Sequence, residues 1–126
     1  MDSKQVKFLE ELGCDKKKHG KGKYSLLEHL KQVQQILKSE NSPEYLQLAG
    51  LFHSIYGTPV FKHKSTQNRD SVRELIGEEA EKIVYEFSKL SKPRFRNIHT
   101  KYRGQLKQDL LKLTRANLKS NHQNFE

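Results

Sequence analysis

The spacing of apolar residues along the chain predicts helices rather than strands. Apolar side chains recur every three or four residues, the spacing that places them on one face of an α-helix. The pattern predicts about six helices, of which the first covers residues 3–12 and the second residues 26–38. The third begins at Ser42 as N-cap, with Pro43 at its first helical position. The β-leaning string at Pro59 is too short for a sheet, so we expect an all-α, single-domain helical bundle.

Short capping patterns and glycines mark the other helix boundaries. Ser25 followed by Glu28 is a capping box for the second helix, and Ser71 followed by Glu74 is one for a short fourth helix. Gly77 separates that short helix from a fifth. The last helix is expected where four apolar residues share a face: Leu106, Leu110, Leu113 and Ala116.

Length and composition fit one domain. The chain has 126 residues, of which 33% are hydrophobic, so residues 1–126 are expected to form a single core. We expect a basic loop over residues 88–105 and a frayed end over residues 119–126. The chain contains no apolar stretch long enough for a membrane span or a signal peptide. Its single cysteine, Cys14, excludes an internal disulfide and fits a reducing compartment, so a cytoplasmic location is predicted.

Basic residues outnumber acidic ones and concentrate in two segments. Lys and Arg total 24 against 15 Asp and Glu, which gives a formal net charge of +9. The segments are 16–23 and 88–108, and the second contains no acidic residue but includes Phe95 and Tyr102. Since arginine grips phosphate and aromatic rings stack on bases, this mixture favours a nucleotide or nucleic acid, although a solvated surface is the alternative. The candidate phosphate-binding residues are Lys21, Lys23, Arg69, Arg94, Arg96 and Arg103.

Three polar side chains fall on faces that are predicted to be buried. His29 borders the apolar stripe of the second helix, His53 lies in the most apolar helix, and Asp109 falls on the core side of the last helix. Helical bundles build metal sites from facing helices, and imidazole with carboxylate suits divalent metals. Hydrogen-bonded core histidines and a carboxylate paired with a nearby lysine are the alternative.

The order of these residues resembles the HD superfamily of metal-dependent phosphohydrolases. The segments LAGLFHSIYGTPVF and VRELIGEEAEKIVYEFSKL resemble its (p)ppGpp-hydrolase branch. The segments ELGCDKKKHG, SLLEHL and LAGLFHSIYGT look more like a small HD-related family, over roughly residues 8–90. The resemblance implies a divalent metal (Mn, Fe, Zn or Mg) held by His29, His53 and Asp109, with His19 as a candidate third imidazole.

One position departs from the HD pattern. HD hydrolases have an Asp directly after the second His, where this chain has Ser54, and Gly57 and Thr58 replace the acidic pair of the alarmone branch. A hydroxyl is a poorer metal ligand than a carboxylate, so the expected site holds one metal. Ser54 and Tyr56 are then the candidate catalytic residues, which would orient the metal-bound water.

Three functions from different classes follow as hypotheses. The leading one is an HD-like, metal-dependent hydrolase of a phosphorylated or nucleotide-like small molecule. The second is a catalytically inactive nucleotide-binding sensor or accessory protein, because the acidic residues are missing. The third is a nucleic-acid-binding module that uses the basic segment 88–108.

Overall fold

The computed structural model describes residues 3–16, 18–19, 24–57, 66 and 68–125. Side chains are described over residues 4–16, 25–57, 66 and 68–121. Several of the sequence predictions fall outside these ranges: those for Lys21, Lys23, Thr58, the string at Pro59 and the His19 side chain.

Within these ranges the fold is all-α, as the periodicity predicts. Its helices are α1 (Ser3–Glu11), α2 (Leu26–Ser39), α3 (Glu44–Phe52), α4 (Arg69–Ile76), α5 (Glu78–Ser88), α6 (Arg94–Lys101) and α7 (Gly104–Phe125). Two short strands, β1 (Lys18–His19) and β2 (Tyr24–Ser25), pair antiparallel ahead of α2. None of the helices in the described ranges has the length and apolar content needed to cross a membrane.

Helix α2 forms the centre of the bundle. It packs most extensively against α3 and next against α7, while α5 packs against α3. The approach of α2 to α3 is close at Gly50, where a Cβ atom would lie 2.6 Å from Leu37 Cδ1 and 3.3 Å from Val33 Cγ1. Leu37 and Val33 are fully buried, so the glycine is what permits this helix spacing.

Two of the predicted N-caps are displaced, one by one residue and the other by three, whereas the cap of α2 is confirmed. The Glu28 backbone N–H donates to Ser25 Oγ at 3.1 Å. Helix α3 is capped by the extended residue Pro43 rather than by Ser42, because the Leu46 and Gln47 N–H groups donate to the Pro43 carbonyl. Helix α4 is capped by Asn68 rather than by Ser71, since Asn68 Oδ1 accepts from the Ser71 N–H.

The structure places helix in the segment predicted as a basic loop and in the segment predicted as a frayed end. Residues 94–101 form α6, in which Ile98 is fully buried. An apolar spacing is present there in Phe95, Ile98 and Tyr102, but the dense positive charge obscures it. Helix α7 continues through residue 125, and the fully buried Ser120 anchors its last turns against α2.

The close approach at Gly50 predicts non-additive energetics. Gly50→Ala should lower the free energy of unfolding by about 1–2 kcal/mol, since overpacking outweighs the gain in helix propensity. Leu37→Ala alone should cost about 2–5 kcal/mol through the cavity that it leaves. In the double variant the new methyl group partly fills that cavity. The loss of stability in urea unfolding should therefore be about 1 kcal/mol or more smaller than the sum of the losses in the two single variants. Additive losses would contradict the packing described here.

Candidate functional site

The two predicted histidines meet in the core. His29 lies on α2 and His53 directly follows α3, and their rings are in edge-to-face contact with centroids 5.1 Å apart. On its other side the His53 ring contacts Phe87 of α5, with centroids 5.4 Å apart. Both histidines are buried, at 0% and 2% exposure. The structure thus brings together two of the candidate ligands from different helices.

Both nitrogens of His29 are hydrogen-bonded to α7. Its Nε2 lies 2.8 Å from Asn117 Oδ1, and its Nδ1 lies 2.9 Å from Ser120 Oγ. The Ser120 hydroxyl in turn donates to Gln32 Oε1 at 2.8 Å. Polar contacts therefore run from α2 to α7 and back to α2. In this arrangement His29 satisfies buried polar groups, which is the alternative role considered for a core histidine.

His53 is oriented by the end of its own helix. Its Nδ1 lies 2.8 Å from the carbonyl oxygen of Gly50, one turn earlier. Since a carbonyl can only accept, Nδ1 carries the proton and donates it. The backbone of α3 therefore fixes both the tautomer and the plane of the ring that faces His29.

Asp109 is held by other partners. The Tyr45 hydroxyl lies 3.2 Å and 3.0 Å from its two carboxylate oxygens and donates to them, and Gln105 Nε2 donates to Oδ1 at 2.9 Å. Burial, followed by the hydrogen bond to Asp109, raises the pKa of Tyr45. Over the described side chains no three His, Cys, Asp or Glu residues are grouped so that they could hold a metal ion. His29, His53 and Asp109 therefore do not converge as the sequence predicted.

The two candidate catalytic residues are buried but differ in their contacts. Ser54 is 3% exposed, and its Oγ has no hydrogen-bond partner among the described residues. The Tyr56 hydroxyl donates to Glu81 Oε2 at 2.8 Å. Burial and the Glu81 carboxylate raise the pKa of Tyr56 far above its ordinary value. Tyr56 thus serves as a neutral hydrogen-bond donor to a buried carboxylate.

Glu81 is the centre of a charge cluster that the sequence analysis missed. The Arg69 guanidinium binds it with two hydrogen bonds, Nε to Oε2 at 2.7 Å and Nη2 to Oε1 at 2.9 Å. Arg73 Nη2 lies 3.6 Å from Oε1, and Arg69 also stacks on the Tyr85 ring, 3.6 Å from its centroid. We call Glu81, Arg69, Arg73 and Tyr56 the Glu81 cluster. The sequence does contain a signal that Glu81 is buried, because it lies near the apolar residues Ala80 and Ile83 of α5, which are also buried.

Exposed basic side chains lie on α6 and in the turns before and after it. Lys92, Arg96, Lys101 and Arg103 are exposed, and we call these four residues the basic surface. Within the described part of the chain none of the four forms an ion pair with an Asp or Glu. Lys89 differs, because it lies 3.7 Å from Glu86 and near the Tyr85 ring.

The predicted phosphate-binding residues divide into exposed and inward-facing groups. Arg96 and Arg103 belong to the basic surface. Arg69 is committed to Glu81, and Arg94 lies over the Phe87 ring, 4.8 Å from its centroid, where burial lowers the pKa of its guanidinium. Of these four arginines, Arg96 and Arg103 are exposed, whereas Arg69 and Arg94 are half-buried.

The two aromatic residues of the basic segment face inward. Phe95 packs against the core, and the Tyr102 hydroxyl donates to Glu86 Oε1 at 2.7 Å. Burial and that hydrogen bond raise the pKa of Tyr102 to about 12. The interleaved aromatics thus anchor α6 to the bundle and do not form the stacking platform that the sequence suggested.

Comparison with known proteins identifies a family. Residues 8–92 match the family model described as a domain of unknown function, DUF6817. The chain belongs to the DUF6817 family. No curated protein and no solved structure matches the chain. The DUF6817 match includes both buried histidines and the Glu81 cluster, and it ends before α6.

The Glu81 cluster predicts a specific loss of stability. Glu81→Gln removes the charge from a buried site with two arginine partners, so chemical unfolding should show a loss of about 2 kcal/mol or more. Burial raises the pKa of Glu81, but the hydrogen bonds from Arg69 and Tyr56 and the two guanidinium charges outweigh it, so the net pKa is lowered.

A lowered folded-state pKa means that this stabilisation is present above the ordinary glutamate pKa of about 4.3 and is lost as the pH falls. The difference in the free energy of unfolding between wild type and Glu81→Gln should therefore be greatest at pH 7 and should shrink below about pH 4. The matched control is Glu78→Gln, which changes an exposed glutamate of the same helix and should have little effect. Equal losses in the two variants would contradict the role of the cluster.

Proposed function

We propose that the protein binds nucleic acid through the basic surface, by contacts to the phosphate backbone rather than to the bases. The observation that carries the proposal is the lack of ion-pair partners for Lys92, Arg96, Lys101 and Arg103 within the described residues. Exposed cations that are not neutralised within the chain are the groups that replace counterions along a polyanion.

The setting of these charges supports binding to a polymer. The segment 88–108 contains no acidic residue, so no carboxylate on it would repel a phosphate backbone. Two of the four residues lie on α6 itself, and the other two lie in the turns before and after it. All four positions fall within residues 92–103, and the proposal is that an extended row of phosphates contacts them together.

Helix α6 holds this surface on a fixed support. Ile98 is fully buried beneath it, and the Tyr102 hydroxyl binds Glu86 of α5. Gly104, at a φ of 65°, begins α7 after a turn of only two residues. The backbone that carries the basic side chains is therefore anchored before a ligand arrives, which reduces the entropic cost of binding.

The inward position of the aromatics selects the type of contact. Single-stranded nucleic acids are held largely by bases that stack on exposed aromatic rings. Phe95 packs against the core and Tyr102 is tied to Glu86, so stacking contributes little. The surface therefore suits the phosphates of a duplex, with little sequence preference.

The hydrolase and nucleotide-sensor functions stay predictions. His29 and His53 are adjacent, which favours a shared role, but both nitrogens of His29 have partners on α7 and Asp109 is bound by Tyr45 and Gln105. The HD resemblance likewise stays a prediction. The basic surface has the larger set of groups presented to a ligand.

Neutralising the basic surface should weaken binding and its salt dependence together. For the triple variant Arg96→Gln, Lys101→Gln and Arg103→Gln, we expect at least a tenfold loss of affinity for a mixed-sequence DNA duplex. The slope of log K against log salt should become shallower by roughly 3, since each neutralised phosphate contributes about 0.9. Fluorescence anisotropy over a salt series measures both quantities.

The matched control removes the same net charge elsewhere. Lys7→Gln, Lys31→Gln and Lys82→Gln lie on α1, α2 and α5, and this triple variant should keep most of the affinity and slope. An equal loss in both triple variants would indicate a general charge effect and would overturn the proposal. So would binding by the wild type that does not depend on salt.

A further inference from the structure

A polar cavity lies between α2 and the beginning of α3, beside α1. Its volume is about 320 Å³, at the lower end of the range for small-molecule sites. Most such sites are lined chiefly by apolar groups, whereas this one is lined by carboxamides and charges. The polar lining consists of Gln5, Gln34, Gln35, Gln47, Lys38 and Glu44. Nothing in the proposed nucleic-acid function uses these residues.

The cavity wall contains a buried acceptor that lacks a partner. Gln34 is 8% exposed, and its Oε1 forms no hydrogen bond within the described residues. A buried acceptor without a hydrogen-bond donor lowers stability. Native proteins usually keep such an atom where water or a ligand supplies the missing hydrogen bond. Because this oxygen is shielded from solvent, the Gln34 amide must turn toward the cavity before a ligand N–H group can reach it.

The other glutamines of the wall are held in place by the fold. Gln47 Nε2 donates to the Ser42 carbonyl at 2.9 Å, so this amide offers chiefly its Oε1 acceptor to the cavity. Gln5 is buried, and its Nε2 lies 3.5 Å from the Leu75 carbonyl oxygen. The lining thus contains carboxamides from three different helices.

Opposite charges stand at the same cavity. Lys38 lies one turn after Gln34 on α2, and Glu44 is the first residue of α3. Both are exposed, and in the described part of the chain neither takes part in an ion pair. A ligand that has a carboxylate and an ammonium group would complement both charges, while its N–H groups would meet the glutamine acceptors.

We infer that this cavity binds a small zwitterion of the free α-amino-acid class, with its carboxylate at Lys38 and its ammonium group toward Glu44 and Gln34. The volume accommodates such a ligand. The carboxamide lining favours a polar side chain, and Leu48 supplies an apolar wall for its methylene carbons. This site does not depend on the basic surface.

Amide chemical-shift titration of the full chain tests the inference. The probes are L-serine, L-asparagine and L-glutamine, each compared with its carboxamide, which lacks the carboxylate, and its N-acetyl form, which lacks the ammonium group. At least one free amino acid should shift the amides around Gln34, Lys38 and Glu44 in a saturable way. Its two analogues should bind at least tenfold more weakly. No saturable shift with any of the three, or equal binding of an analogue, overturns the inference.

Three variants locate the ligand groups. Lys38→Gln and Glu44→Gln change exposed side chains and should each weaken binding at least tenfold, whereas Lys31→Gln on the same helix as Lys38 should leave binding unchanged. Gln34→Met replaces the unpartnered amide with an apolar chain of similar shape, so the melting temperature should be kept or raised while binding is lost. Unchanged binding in these three cavity variants would overturn the assignment. A normal duplex affinity in each of them keeps this test separate from that of the basic surface.

Discussion

The packing of α2 between α3 and α7 is the constraint on which the rest of the structure depends. Gly50 allows α3 to approach α2 closely, and His29, one turn before Val33 on α2, has two buried nitrogens that must find partners. Asn117 and Ser120 supply them, which fixes how α7 lies along α2. Since only two residues separate α6 from α7, this contact also sets where α6 and its basic residues lie. The polar groups of the core thus determine the position of a distant surface.

Local sequence patterns predicted the elements better than their polar partners. The apolar period and the Ser25 cap identified α2 almost to the residue, because both are properties of the helix itself. Asp109 was correctly placed on a buried face, but its partner Tyr45 is 64 residues earlier in the chain. Spacing within one helix cannot indicate which carboxylate a tyrosine on another helix will bind. For that reason the spacing could not show that Asp109 lies with Tyr45 and Gln105 and apart from the two histidines.

The same distinction explains the two arginine-rich features. Arg69 and Arg96 look alike in the sequence, yet Arg69 binds a carboxylate that is 1% exposed and Arg96 is exposed. The difference comes from Glu81, whose burial follows from the contact of α5 with α3 and α4. Phe95 and Tyr102 were likewise visible in the sequence as aromatics among basic residues. Their inward orientation follows from the helical period of α6, which the density of charge concealed, and it changes the expected contact from bases to phosphates.

The most direct test of the central claim is to map the amides that a DNA duplex perturbs in the full chain by heteronuclear NMR. We predict shifts concentrated in α6, in the turns that hold Lys92 and Arg103, and at the beginning of α7, which fade as salt is added. The chemical shifts of the amides around Gln34 and Glu44 should not change. Shifts confined to those cavity residues, or spread evenly over the lysines of α1, α2 and α5, would contradict the account.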